Sequence, residues 1–143
     1  MADLEQAIKL LQEGDYTCVL LGEDQVYTST SRGVKPLVQW LRSGLNGNGF
    51  FAADRVVGKA TAFLYVLLGV RAVYAHVISR SALDILRRFR IEARYGTVVD
   101  HIINRKGDGI CPFEATVLQI QDPTSAFTAI LQKMQEMNIP LDD

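Results

Sequence analysis

Apolar side chains in the middle of the chain recur at the spacing of an α-helix. Asp54 is a suitable N-cap for this helix, and Gly69 is a suitable residue to end it. The pattern therefore predicts a central helix from Asp54 to Leu68, around which the other elements pack. At about 100° per residue, one broad face of it collects Val56, Val57, Ala60, Phe63, Leu64, Leu67 and Leu68.

The opposite face of this predicted helix carries small side chains, with charge near its first turn. Small residues mark a surface that another helix or a ligand approaches closely, and the sequence leaves both alternatives open. A membrane span is excluded, because the uncharged run from Ala60 to Val70 is 11 residues long and a span needs about 20. The residues of this second face are Asp54, Gly58, Thr61 and Ala62, with Arg55 and Lys59 at its edge.

Elsewhere the pattern alternates between helical and strand periods, which predicts one α/β domain with four strands and about five helices. The short connection between the first two strands predicts an antiparallel hairpin. The central helix then predicts a right-handed crossover that pairs the third strand in parallel with that hairpin. Strands are predicted at 16–21, 25–29, 70–78 and 95–103, and helices up to Gly14, from Pro36 to Gly44, from Ser79 or Ser81 to about Arg90, at 115–118 and from Asp122 to Met137.

Composition narrows the class of protein. The 143 residues are 48% hydrophobic and 22% charged, which is typical of a globular domain and not of a disordered chain. A net charge of −1 argues against strong general binding of nucleic acid. The acidic N-terminal residues do not resemble a secretion signal, and the two cysteines are far apart, so we expect a cytoplasmic protein without a disulfide framework.

The sharpest local signal is the sequence Cys111-Pro112-Phe113-Glu114. If Pro112 is the first helical residue, Cys111 is the N-cap and Glu114 stands at the third position, as in a capping box. A thiol is a poor cap, and a helix N-terminus favours thiolate. Cys111 is thus either a reactive or ligand-contacting thiol or a buried structural one.

Other candidate residues also carry two interpretations. Lys59 is either a base or amine nucleophile with a lowered pKa, or a lysine whose stem packs on apolar surface. Asn104 and Arg105 follow a strand and precede glycines, which suits a ligand loop. The arginines at 87, 88, 90 and 94 form either a solvated face or a phosphate site. His76 is interpreted as a residue of the sheet, and His101 lies near the polar loop, where it could reach a site.

Several of these segments together resemble an uncharacterised family of small prokaryotic proteins with a cytidine-deaminase-like fold that lack the zinc-binding motifs. The resemblance implies a three-layer α/β/α sandwich around a mixed sheet of about five strands. It also implies that Asp54, Lys59, Asn104, Arg105, Cys111 and Glu114 surround the pocket that zinc occupies in true deaminases. The segments that carry it are Arg32-Gly33-Val34-Lys35-Pro36-Leu37, residues 53–60, Asn104-Arg105 and Cys111-Pro112-Phe113-Glu114.

The sequence departs from zinc deaminases at both of their motifs. Those enzymes need a His or Cys ligand with a glutamate two residues later, and then a Pro-Cys-x-x-Cys pair. Asp54 and Val56 stand at the first place, and residues 79–82, Ser-Arg-Ser-Ala, stand at the second. We therefore expect no zinc, no other cofactor and no zinc-dependent deamination.

Two functions follow as hypotheses. In the first, the protein is a metal-independent enzyme, or a former one, that acts on a small polar or nucleotide-like ligand. In the second, it is a non-catalytic ligand-binding or regulatory module, and a homo-oligomer is compatible with either. The predicted catalytic residues are Cys111 as nucleophile, Lys59 as base or electrostatic stabiliser, Asp54 and Glu114; the predicted ligand contacts are Arg32, Gly33, Gly58, Asn104 and Arg105.

Overall fold

The computed structural model describes residues 2–141. A five-stranded mixed sheet in the order β2-β1-β3-β4-β5 forms the middle layer. The helices are α1 (Leu4–Glu13), α2 (Lys35–Arg42), α3 (Lys59–Leu68), α4 (Arg80–Arg88), α5 (Pro112–Thr116) and α6 (Pro123–Glu136), and the strands are β1 (Cys18–Leu21), β2 (Val26–Ser29), β3 (Phe51–Val57), β4 (Ala72–Ser79) and β5 (Glu92–Val99).

The predicted α/β class and mixed sheet of about five strands are confirmed. β1 is antiparallel to both β2 and β3, whereas β3, β4 and β5 are parallel. Helix α1 packs on the face that carries Val19 and Ala53, and α3 packs on the opposite face, where Tyr65 meets Cys18 and Asp54. Helix α3 is also in contact with α2, α4, α5 and α6, so it lies inside the thicker helical layer.

The prediction of a helix beginning at Asp54 is wrong. Residues 51–57 form β3, Gly58 is the N-cap, and α3 begins at Lys59. The error has a physical cause, because β3 pairs with neighbours on both edges and is buried at its centre. Buried apolar side chains therefore occur on both of its faces, Ala52 on one and Ala53 on the other, and a short run of that kind has no period that separates strand from helix.

This extra strand also changes the pairing. The predicted parallel pairing of the third strand with the hairpin is wrong, because β4 pairs with β3 and β3 separates it from β1. The antiparallel hairpin itself is confirmed, as is Gly69, which ends α3 with a φ of 82°. The last predicted strand begins three residues and ends four residues too late, and α4 ends at Arg88, just before Arg90 takes a φ of 62°.

The predicted caps have mixed outcomes. Ser79, one of the two predicted alternatives, caps α4 by accepting a hydrogen bond from Ala82 N–H. Asp122 caps α6 as predicted. Cys111 is the N-cap residue of α5 with Pro112 as its first residue, but its backbone N–H donates to Ile102 O, so the predicted capping box with Glu114 is wrong.

Candidate functional site

A cavity of about 470 Å³ opens where the carboxyl end of β3 meets the first turn of α3. We call it the β3–α3 cavity. Its wall also includes the start of β1, the loop after β2, the loop at 102–105 and the start of α5. The lining residues are Asp15, Tyr16, Thr17, Cys18, Ser31, Arg32, Gly33, Val34, Asp54, Arg55, Val56, Gly58, Ala60, Thr61, Ile102, Arg105, Cys111, Phe113 and Glu114.

The fold brings seven of the nine predicted site residues together on this wall. Lys59 and Asn104 are the two that do not line the cavity, and His101 does not line it either. The seven are Cys111, Asp54, Glu114, Arg32, Gly33, Gly58 and Arg105. Segments far apart in sequence thus meet at one place, which is the arrangement that a ligand site requires.

Glu114 is almost wholly buried, with 1% of its surface exposed. Its Oε1 accepts hydrogen bonds from Lys59 N–H at 2.9 Å and from the Ser79 hydroxyl at 2.6 Å, and its Oε2 accepts one from Ile102 N–H. Lys59 is the first residue of α3 and Ser79 caps α4, so the carboxylate lies between two helix N-termini. The positive ends of both helix dipoles stabilise a negative charge there.

Gly58 allows this close approach. A Cβ built at Gly58 would lie 3.1 Å from Glu114 Oε1 and 3.1 Å from Ile102 Cγ1. Any larger residue would push the carboxylate away from Lys59 N–H. Glycine is therefore needed at position 58 for steric reasons. The predicted contact between Gly58 and a ligand is a separate role that stays a prediction.

Asp54 is the second buried carboxyl on the wall, with 7% of its surface exposed. Its Oδ2 accepts a hydrogen bond from the Tyr65 hydroxyl at 2.7 Å, and its Oδ1 accepts one from Val56 N–H at 3.3 Å. Burial raises the pKa of Asp54 from 3.8 to about 6, although the hydrogen bond from Tyr65 works in the opposite direction. The predicted N-cap role is wrong, because Asp54 lies inside β3.

Tyr65 connects Asp54 to Cys18. The Cys18 sulfur lies 3.1 Å from the Tyr65 oxygen, and because that hydroxyl donates to Asp54, we assign the thiol as the donor. Burial and the neighbouring Asp54 charge raise the pKa of both Cys18 and Tyr65 well above their ordinary values. We did not predict this cluster, although a tyrosine in an otherwise apolar helix indicates that its hydroxyl needs a buried partner.

Lys59 is held away from the cavity. Its Nζ donates to Leu118 O at 2.9 Å and lies 5.8 Å from the centre of the Phe63 ring. Burial lowers the pKa of Lys59, the Arg88 charge acts in the same direction, and Glu114 opposes them. Lys59 therefore connects α3 to the turn that follows α5.

The cations at the cavity are arginines. Arg55 donates through Nε to Tyr16 O at 2.7 Å, whereas Arg32 and Arg105 form no ion pair with any residue in 2–141. Asn104 holds the loop beside Arg105, because its Oδ1 accepts from Gly107 N–H and Asp108 N–H. No group of three or more His, Cys, Asp or Glu side chains in the described residues is arranged to hold a metal ion.

The model of the domain of unknown function DUF1893 matches residues 6–134. The chain belongs to this family. A DUF1893 family protein (TM1506) from Thermotoga maritima has a similar crystal structure, with 27% sequence identity and a TM-score of 0.84 over 91% of this chain and 88% of that one. A search of curated proteins found no match.

A more remote structure is a diaminohydroxyphosphoribosylaminopyrimidine deaminase/5-amino-6-(5-phosphoribosylamino)uracil reductase, also from Thermotoga maritima. It aligns with a TM-score of 0.43 and 13% identity over 79% of this chain and 39% of that one, and at this level it carries no argument. The deaminase-like character of the DUF1893 chain therefore stays a prediction. No helix in the described part of the chain has the length and apolar character of a membrane span.

Proposed function

We propose that the protein binds a small polar molecule in the β3–α3 cavity and that Cys111 reacts with it as a nucleophile. The observation that carries this is an accessible thiol on the wall of a cavity of ligand size that also contains a buried carboxyl with a pKa of about 6. The resemblance to deaminase-like proteins adds the expectation of a nucleotide-like ligand.

The two cysteines on the wall differ in accessibility. Cys18 is 2% exposed and its sulfur is engaged with Tyr65. Cys111 is partly exposed, and its side chain caps no backbone amide. Cys111 is therefore the thiol that a ligand in the cavity reaches.

The reaction that these groups support is a displacement at an electrophilic carbon of the ligand. The Cys111 sulfur forms a bond to that carbon, and the bond from the carbon to its leaving group breaks with its electron pair on the leaving group. The leaving group takes a proton from Asp54, and the proton released by the thiol restores Asp54. Water then displaces the thiol and completes the turnover.

The other predicted residues have supporting roles in this proposal. Arg32, Arg105 and Gly33 contact the ligand, and Gly58 leaves room for Glu114 beside it. Glu114 and Lys59 hold the wall in place through hydrogen bonds with other parts of the chain, and Asn104 orders the Arg105 loop.

The alternative function is non-catalytic binding in the same cavity, and one observation favours it. No histidine lies among the residues that line the cavity, so the thiol has no imidazole base beside it.

Alkylation of the native protein, followed by peptide mass spectrometry, tests the nucleophile. We expect iodoacetamide at pH 7 to modify Cys111 at least about ten times faster than free cysteine, and to leave Cys18 unmodified. Cys18→Ala is the matched control and keeps the fast reaction, whereas Cys111→Ser abolishes it. Two results together would establish the binding module instead. Cys111 would be alkylated at the rate of free cysteine, and a ligand would stabilise the wild type and Cys111→Ser equally and be recovered unchanged.

A further inference from the structure

The polar groups of the β3–α3 cavity are separated by depth. Asp54 and Thr61 are 7% and 6% exposed, and Glu114 is 1% exposed, so the deep part of the wall is acidic and polar. Arg32 and Arg105 line the same cavity with exposed side chains. The cavity therefore has a hydrogen-bonding floor and a cationic mouth.

The floor has unused capacity for hydrogen bonds. The Thr61 hydroxyl faces this cavity and has no hydrogen-bond partner within residues 2–141, although the residue is more than nine-tenths buried. Asp54 accepts bonds from Tyr65 and Val56, and a carboxylate has about four lone-pair sites. Both residues can therefore accept hydrogen bonds from a bound molecule that donates N–H groups.

The mouth has unused positive charge. Neither Arg32 nor Arg105 has an acidic partner in the described chain, and the buried carboxylate of Glu114 on the same wall already accepts hydrogen bonds from Lys59 N–H, Ser79 and Ile102 N–H. A guanidinium presents paired N–H donors that match the oxygens of a phosphate group. Two such groups at one opening favour a dianion over a single carboxylate.

We propose that the ligand of the β3–α3 cavity is bipolar, with an amino or amidino group bound by Asp54 and Thr61 at the floor and a phosphate group bound by Arg32 and Arg105 at the mouth. This inference rests on the binding part of the proposed function and is independent of the reaction at Cys111.

Two fragments test the two ends separately, with inorganic phosphate for the mouth and benzamidine for the floor. Binding of each is measured by calorimetry at low ionic strength, where exposed charges are least screened. We expect Arg105→Gln to weaken phosphate binding at least about fivefold and to leave benzamidine binding unchanged. Lys106→Gln is the matched control, because it removes the same charge from the next, exposed residue, which does not line the cavity.

The floor is tested by Asp54→Asn and, in case that variant fails to fold, by Thr61→Val. Either is expected to weaken benzamidine binding at least about fivefold without changing the affinity for phosphate. Phosphate binding that Arg105→Gln and Lys106→Gln affect equally would overturn the inference, as would competition between the two fragments. Failure of both fragments to bind while Cys111 keeps its fast alkylation would overturn this inference alone and leave the nucleophile standing.

Discussion

Two buried carboxyl groups line the β3–α3 cavity, and they differ in the hydrogen-bond donors that surround them. Glu114 accepts hydrogen bonds from α3, from the cap of α4 and from the loop at Ile102, so its charge is compensated by donors from three segments. Asp54 is buried in the sheet with a tyrosine hydroxyl as its strongest partner, and burial raises its pKa to about 6. The first group connects three segments of the fold, and the second lines the cavity with fewer hydrogen-bond donors around it.

This contrast reflects the location of each residue in the chain. Glu114 belongs to a five-residue helix that packs against the N-terminus of α3, where orphan backbone amides need an acceptor. Asp54 belongs to a strand whose backbone groups are already paired with β1 and β4, so few donors reach its side chain. Burial with few donors raises the pKa of a carboxyl toward neutrality, which suits it to proton exchange.

The largest expected effect is that of Glu114→Ala. It leaves Lys59 N–H, the Ser79 hydroxyl and Ile102 N–H without their acceptor, so we expect a loss of about 3–5 kcal/mol in the free energy of unfolding, measured with urea. Glu136→Ala is the control, because its ion pair with Lys133 is at the surface and contributes less than about 1 kcal/mol. Equal losses in the two variants would show that Glu114 is not a structural anchor.

The next effect concerns the pH dependence of stability. The pKa of Asp54 is about 6 in the folded chain and about 3.8 when unfolded, so the folded state binds more protons between these values and stability falls as the pH rises through them. At neutral pH this difference in pKa lowers the free energy of unfolding by about 3 kcal/mol relative to acidic pH. Urea unfolding of wild type and Asp54→Asn at pH 4 and pH 7 is expected to show a decline in the wild type that the variant lacks.

The contribution of Asp54 is the change in the free energy of unfolding between the two pH values in the wild type minus the same change in Asp54→Asn. Contributions of the other carboxyl groups cancel in this difference. Parallel stability curves for wild type and Asp54→Asn would contradict the role assigned to Asp54.

The smallest expected effect tests the close packing on the Glu114 side. Gly58→Ala places a Cβ 3.1 Å from Glu114 Oε1, and we expect it to lower stability by about 1 kcal/mol. Gly109→Ala is the control, because its nearest neighbour is Asn104 Nδ2 at 3.7 Å, an ordinary contact. There we expect no loss, or a gain of about 0.5 kcal/mol from the less flexible unfolded chain. A thermal shift assay on the two variants distinguishes these outcomes, and equal shifts would argue against crowding at Glu114.

Most of the fold could be predicted from the sequence because its elements are amphipathic or carry recognisable caps. The hairpin, Gly69 and Asp122 are such cases. β3 could not be predicted, because a strand buried on both faces has no period of its own and runs directly into a helix. That single error placed Asp54 at a helix cap, whereas it lies inside β3.

The candidate site was predictable as a set of residues but not as a set of roles. Charged and small residues near element ends indicated the wall, and most of them line one cavity. The positions of Lys59 and Glu114 depend on hydrogen bonds between segments 55 residues apart, for which no local pattern exists. The cluster of Cys18, Tyr65 and Asp54 depends in the same way on the register of β1 and β3.

The central claim is that Asp54 is the buried carboxyl that stays available for proton exchange in the cavity. An NMR titration of its side-chain carboxyl carbon measures this directly, with Asp54→Asn used to assign the signal. We predict a pKa of about 6 in the wild type. A pKa at the ordinary value of 3.8 would show that Asp54 is as well compensated as Glu114 and would contradict the account.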